Sequence, residues 1–184
     1  MAPNATLYHV KLTLSDVDRG VYEPLDLRLA RHPSESLRYL VTRLLAYALS
    51  YEEGIAFSKG GVSSTDEPPV VVRDPTGILL AWIEVGSPSA ARLHKASKAA
   101  RRVALFTAAS IVELEAEARA GAIHRADELE IWRLDASFLD AIGERLDRTL
   151  ALELVHTEGR LYLTIGGETL EGGVEHAPLL VAPS

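Results

Sequence analysis

The chain has 184 residues, 47% of them apolar, which is enough to bury one good core and gives no sign of a second. Its 19 basic and 26 acidic residues leave a net charge of −7, which argues against indiscriminate nucleic-acid binding, and its lack of cysteine excludes disulfide frameworks, thiolate zinc sites and cysteine nucleophiles. The start MAPNATLYHVKLTL has no basic segment followed by an apolar one, and no stretch approaches 18 apolar residues, so neither a signal peptide nor a membrane span is expected and the expected compartment is the cytoplasm.

In chain order, Thr6 to Leu14 and Leu25 to Arg31 alternate apolar and polar residues and predict two strands, joined as a hairpin through Asp18-Arg19-Gly20. Ser34 then stands as an N-cap before the stripe Leu37, Leu40, Val41, Leu44, Leu45 and Ala48, which has helical spacing. Short strands are predicted at Ile55 to Ser58, Val70 to Arg73 and Ile78 to Val85, with a loop from Gly60 to Pro69. Pro88 opens an alanine-rich helix to about Ala100, and Val103 to Thr107 is an apolar strand. Ser110 to Ala120 reads as a charged helix ended by Gly121, Leu129 to Leu134 as a strand, and Ala136 to Ile142 as one or two helical turns. Leu150 to Val155 and Arg160 to Ile165 form a hairpin around Glu158-Gly159, after which Gly172, Gly173 and Pro178 mark a frayed tail.

The chemistry concentrates around Arg73 to Gly86. Asp74-Pro75-Thr76-Gly77 is a turn cluster, and in the returning strand Leu80, Trp82, Glu84 and Gly86 share one face. Glu84 is thus a carboxylate inside an apolar strand, tolerated only if paired or bound to a cation. Asp74 and Glu84 at the mouth of one hairpin would suit Mg²⁺ or Mn²⁺, although Asp74 before Pro75 is also a common turn-former. From Val85 to Val112 no residue is acidic, while Arg92, Lys95, Lys98, Arg101 and Arg102 fall inside that window. Arg92, Lys95 and Lys98 make one helical stripe, which reads either as a phosphate-binding surface or as a solvated helix face. Glu35 lies in the first turn of its predicted helix, where its charge favours the helix dipole and its direction suits solvent or a cleft equally. Lys95 also reads as a side chain snorkelling over the sheet edge. The six histidines are scattered without zinc spacing, and KGGVSS lacks the Gly-Lys-Ser/Thr order that cradles phosphates.

An aspartate near a hairpin followed about ten residues later by Glu-x-Lys resembles the signature of the PD-(D/E)XK nuclease superfamily, here as Asp74 and Glu84 with Gly86 in place of the lysine. More widely, LARHPSE (Leu29 to Glu35), DEP (Asp66 to Pro68), WIEVG (Trp82 to Gly86) and Lys95 within RLHKA resemble the YaeQ family of bacterial proteins, a variant branch of that superfamily. The resemblance implies one domain over residues 1–184 with a restriction-endonuclease-like αβββαβ core. It implies a mixed central sheet extended by N- and C-terminal hairpins.

The function so implied is a Mg²⁺- or Mn²⁺-dependent nuclease. Asp74, Glu84 and the carbonyl of Val85 would hold the metal, with Asp66 in reserve, and Lys95 on the following helix would replace the strand lysine. Glu35, Arg31 and Ser34 would belong to the same cleft, and Arg92 and Lys98 would meet the substrate. The alternative is a catalytically silent module of the same fold that binds nucleic acid or a protein partner.

Overall fold

The computed structural model describes residues 4–59 and 66–181; the predicted loop from Gly60 lies outside the described residues as far as residue 65. The alternating N-terminal segments form β1 (Thr6–Asp16) and β2 (Val21–Arg31), paired antiparallel, with Val10, Leu12, Leu14, Leu25, Leu27 and Leu29 on the buried face. The predicted stripe becomes α1 (Leu37–Leu49), which buries Leu40, Val41, Leu44, Leu45 and Ala48. Its cap is Ser36, whose hydroxyl accepts the Tyr39 N–H at 3.1 Å. The expected cap, Ser34, lies outside the helix with its hydroxyl 2.6 Å from His32 Nδ1, because the intervening Glu35 is turned into the protein.

Three antiparallel strands follow, β3 (Ile55–Phe57), β4 (Val70–Arg73) and β5 (Leu79–Val85). Next come α2 (Ala90–Ala99), β6 (Arg102–Thr107), α3 (Val112–Arg119), β7 (Glu130–Leu134) and α4 (Ala136–Gly143). Pro88 precedes α2, whose cap is Ser89. The predicted C-terminal hairpin is β8 (Thr149–Thr157) and β9 (Arg160–Ile165). Its two turn residues, Glu158 and Gly159, both take positive φ, the conformation that a two-residue hairpin turn requires.

The expected frayed tail is instead an eleven-residue strand, β10 (Glu168–Pro178). Its first half pairs with β9 and its second with β7, so one strand joins two half-sheets. The result is a single ten-stranded sheet in the order β2-β1-β8-β9-β10-β7-β6-β5-β4-β3, parallel at β1/β8, β5/β6 and β6/β7 and antiparallel elsewhere. On one face a large core gathers both half-sheets around α1 and α4; on the other, α2 and the segment around α3 cover β5 to β7 through Trp82, Leu93, Leu105 and Ile131. Among the described residues no helix is long and apolar enough to cross a membrane.

The glycines read as tail markers have a packing role. A Cβ on Gly172 would lie 2.3 Å from the ring of Phe138, which α4 presents and which is almost fully buried. Only a residue without a side chain lets α4 settle on the bend of β10. Gly172→Ala is therefore expected to destabilise the fold by about 1–3 kcal/mol through overpacking. An unchanged urea midpoint would contradict this packing account.

Candidate functional site

Glu84 is the next-to-last residue of β5 and shares the α2 face with Trp82, as the period of two predicts. It is 3% exposed and accepts two hydrogen bonds on Oε2, from Trp82 Nε1 at 2.9 Å and from Arg92 Nε at 2.7 Å. The Arg92 guanidinium lies 5.6 Å from the Trp82 ring centroid and also donates to the Glu67 carbonyl at 2.9 Å. One arginine thus ties the end of β5, the start of α2 and the loop before β4 together. One turn further along α2, Lys95 Nζ is 2.5 Å from Asp66 Oδ1. This pair is largely solvent-exposed and worth little to stability, yet it holds the Asp66 carboxyl below its ordinary value.

Asp74 does not join this group. Its Oδ1 accepts from Thr76 N, Thr76 Oγ1 and Ile78 N, a local turn whose hydrogen bonds, led by the Thr76 side chain, lower its pKa. The turn closes one end of the β4/β5 hairpin, where Arg73 faces Leu79, and Glu84 stands at the other end. Five residues of strand separate Leu79 from Glu84, roughly 17 Å at about 3.3 Å per residue. Asp74 therefore does not stand beside Glu84; the carboxylates of Asp66 and Glu84 are instead each held by a cation of the Arg92–Lys95 turn. Val85, expected as a carbonyl ligand, follows Glu84 directly with its side chain buried on the opposite face.

Gly86 has φ +87°, a conformation in which any side chain is strained. A lysine at this position would be strained. The ring of Tyr39 packs against Gly86, and burial, with Glu84 and Glu35 adding in the same direction, pushes the Tyr39 phenol up to about 12. Glu35, which also acts on Tyr39, precedes α1. It is buried against Arg43 at 3.1 Å and accepts the His32 N–H at 3.2 Å, and burial raises its pKa against the opposing pull of Arg43. Arg31 donates to the Glu35 carbonyl and Ser34 bonds His32, so these hydrogen bonds stay within the loop before α1. Lys98 and Arg101 are exposed on and just after α2, without a partner among the described residues, whereas Arg102 is taken by Glu130 and Glu52.

Hollows of about 260 and 170 Å³ flank Gly86 and Ser87, one toward α3 and one toward α1. Sequence reasoning missed Trp82 and Tyr39 as parts of this site. The period of two already put Trp82 on the Glu84 face; nothing in the sequence announced Tyr39. Mg²⁺ needs only one or two carboxylates, with water and substrate phosphate completing its shell. Asp66 and Glu84 are oxygen donors of that kind. Among the described residues no third Asp, Glu or His converges on them, so any such site is open and completed by substrate, not a protein cage.

This architecture defines a mixed α/β protein with a buried, arginine-held carboxylate at the end of a central strand. The chain belongs to the YaeQ family, whose model matches residues 1–173. It is 35% identical over 176 residues to the uncharacterized protein YaeQ of Salmonella typhi, covering 93% of this chain and 94% of that one. It is 34% identical over 173 residues to its counterpart in Escherichia coli (strain K12), with the same coverage. The fold matches crystal structures of YaeQ from Pseudomonas syringae (TM-score 0.83, 32% identity, 94% of this chain and 95% of that one) and Xanthomonas axonopodis pv. citri (TM-score 0.83, 31% identity, 95% and 99%).

Two outcomes are expected from these pairs. Arg92→Ala leaves Glu84 buried with the Trp82 N–H but without its countercharge, and should cost about 3–5 kcal/mol in urea unfolding. A loss below about 0.5 kcal/mol, the range of ordinary surface substitutions, would show that the pair holds nothing together. Glu35 behaves oppositely to the lowered carboxylates. Its raised pKa means that the folded chain keeps a proton which the unfolded chain releases near 4.5, so its contribution is complete below that pH and is lost as pH rises through the folded value. Comparing unfolding free energies between about pH 4 and pH 7 should show wild type losing stability relative to Glu35→Gln as pH rises; a constant difference would refute it.

Proposed function

We propose that this chain is a metal-dependent nuclease whose site is Asp66, Glu84 and Lys95 at the C-terminal end of β5, with Arg92 as its gate. The observation that carries this reading is the convergence at one strand end of two carboxylates and two cations, each carboxylate held by a cation that a phosphate could draw away. The element order supports it: α1, the antiparallel β3-β4-β5, α2, then β6 parallel to β5 is the order expected of a restriction-endonuclease-like core. The reading differs from the sequence expectation in placing Asp66 where Asp74 was expected and in leaving out the Val85 carbonyl, Glu35, Arg31 and Ser34.

The cations set the order of events. A phosphodiester arriving over α2 first meets Lys98 and Arg101, then competes with Asp66 for Lys95, a surface pair easily exchanged. Arg92 is the deeper partner. Its transfer from Glu84 to the phosphate exposes the Glu84 carboxylate at the moment when substrate arrives. Mg²⁺ or Mn²⁺, when bound by Asp66 and Glu84, supplies Lewis acidity and an acidified water. Lys95 then neutralises charge that develops on the phosphoryl oxygens.

A second reading, a silent binding module of the same fold, is favoured by the Glu84–Arg92–Trp82 arrangement, which satisfies the carboxylate without any ion. One assay separates the two: binding and cleavage of short single-stranded and duplex oligonucleotides in Mg²⁺ and Mn²⁺. Cleavage that falls about 10²-fold or more in Glu84→Gln and Lys95→Ala, and persists in Asp74→Asn, is expected of the nuclease. Binding without cleavage in either ion would establish the silent module. If the protein neither binds nor cleaves, the nuclease and the nucleic-acid-binding module both fail, and a module for a protein partner remains.

A further inference from the structure

A cavity of about 500 Å³ lies away from the proposed nuclease site, on the α1 face of the sheet instead of the α2 face. Two of its lining residues, Trp132 and His176, belong to a row of rings. Phe106 on β6 and Trp132 on β7 are register partners and stack with centroids 5.2 Å apart and planes 9° apart. Trp132 and His176 on β10 are also register partners, stacked at 4.0 Å and 12°. The row therefore crosses three neighbouring strands with all its rings nearly parallel.

It ends because the sheet ends there. β10 leaves β9 at Gly173, opposite Arg160, so at His176 no strand continues on the outer side. Phe106 and Trp132 are buried, but the His176 side chain is 47% exposed. Gly159, from the β8/β9 turn, and Val174 line the gap beyond it. The row therefore ends at a position that borders the pocket, whose lining includes both Trp132 and His176.

The polar groups around that position offer both acceptors and donors. Glu130 and Asp18 contribute carboxylates: Glu130 pairs with Arg102 Nε and Nη2 and lies 3.3 Å from both Trp132 Nε1 and His176 Nε2, Asp18 accepts the Glu158 N–H at 2.9 Å, and Arg102 Nη1 has only a 3.3 Å contact to Glu52. His156 is fixed by the fully buried Asp16, 2.9 Å from Nδ1, so its Nε2 is turned toward Asp18 at 3.4 Å and the pocket. Arg19 also lines the cavity but is committed to Asp16 and to the carbonyls of Ala48 and Tyr51. An apolar ring could use the stack but not these groups, and a simple anion could use Arg102 but not the stack.

We propose that this cavity is a second ligand site, which takes a planar heteroaromatic ring bearing both hydrogen-bond donors and acceptors, of the nucleobase or nucleoside class. The ring becomes the fourth member of the row, on the outer face of His176, with its edge meeting Glu130, Asp18 and His156. The volume accommodates a nucleoside, within the range of small-molecule pockets. The site is independent of the nuclease reading, because none of its residues belongs to the Glu84 cluster.

Trp132 reports on it. In a Trp82→Phe background, leaving Trp132 as the one tryptophan, adenosine should quench fluorescence saturably, whereas D-ribose should not. Calorimetry on the unmodified chain gives the same reading should Trp82→Phe fold poorly. His176→Ala, and His176→Leu, which keeps bulk but loses the π face, should each weaken adenosine binding at least tenfold. Glu84→Gln and Lys95→Ala should leave it unchanged. The proposal is overturned by the absence of saturable adenosine binding at millimolar concentration, by equal binding of ribose, or by full affinity in both His176 variants.

Discussion

The division of β10 between two partners is the constraint on which the rest of the molecule depends. A strand that pairs along its whole length with one neighbour would extend a flat sheet; this one changes neighbour between Gly173 and Val174, and the two half-sheets share one core around α1. The bend is possible because Phe138 of α4 occupies the space where a side chain would be. From that one change of partner come the shared core beneath both half-sheets, the docking of α4, and the gap that leaves His176 at the open end of an aromatic row.

On the opposite face the governing interaction is electrostatic. A carboxylate as buried as Glu84 needs a partner, and here it has an arginine from the next helix and the indole N–H two residues earlier on its own strand. The same arginine reaches the Glu67 carbonyl, so the loop carrying Asp66 is tied to the strand end through a side chain and not through backbone pairing. Structure and chemistry at this point use the same residues, and a change in one alters the other.

Much of this was legible in the sequence wherever a periodic signal was long. The alternation in β1 and β2, the stripe of α1 and the face shared by Trp82 and Glu84 follow from spacing alone. The errors arose where one residue had two physical readings. Gly172 and Gly173 read as loose chain, because a sequence does not show that Phe138 will sit over one of them. Asp74 fitted a metal ligand and a turn-former equally, and only the length of β5 decides, by carrying Glu84 to the other end of the hairpin. Ser34 and Ser36 both make good caps. The choice between them was settled by the burial of Glu35 against Arg43, a contact eight residues apart that helical spacing does not rank.

Gly86 has a consequence for how this strand end can vary. In a strand, two residues two positions apart, such as Glu84 and Gly86, share a face and keep a fixed separation set by the covalent backbone, whatever happens around them. With position 86 closed to side chains by its left-handed backbone, the nearest lysine belongs to another element, and its distance from Glu84 is set by how α2 seats on β5 and β6 through Leu93 and Ala96. The distance between Lys95 and Glu84 is thus a packing distance and not a covalent one. Substitutions under that helix, far from any solvent or substrate, are thereby able to retune the relation between the cation and the carboxylate.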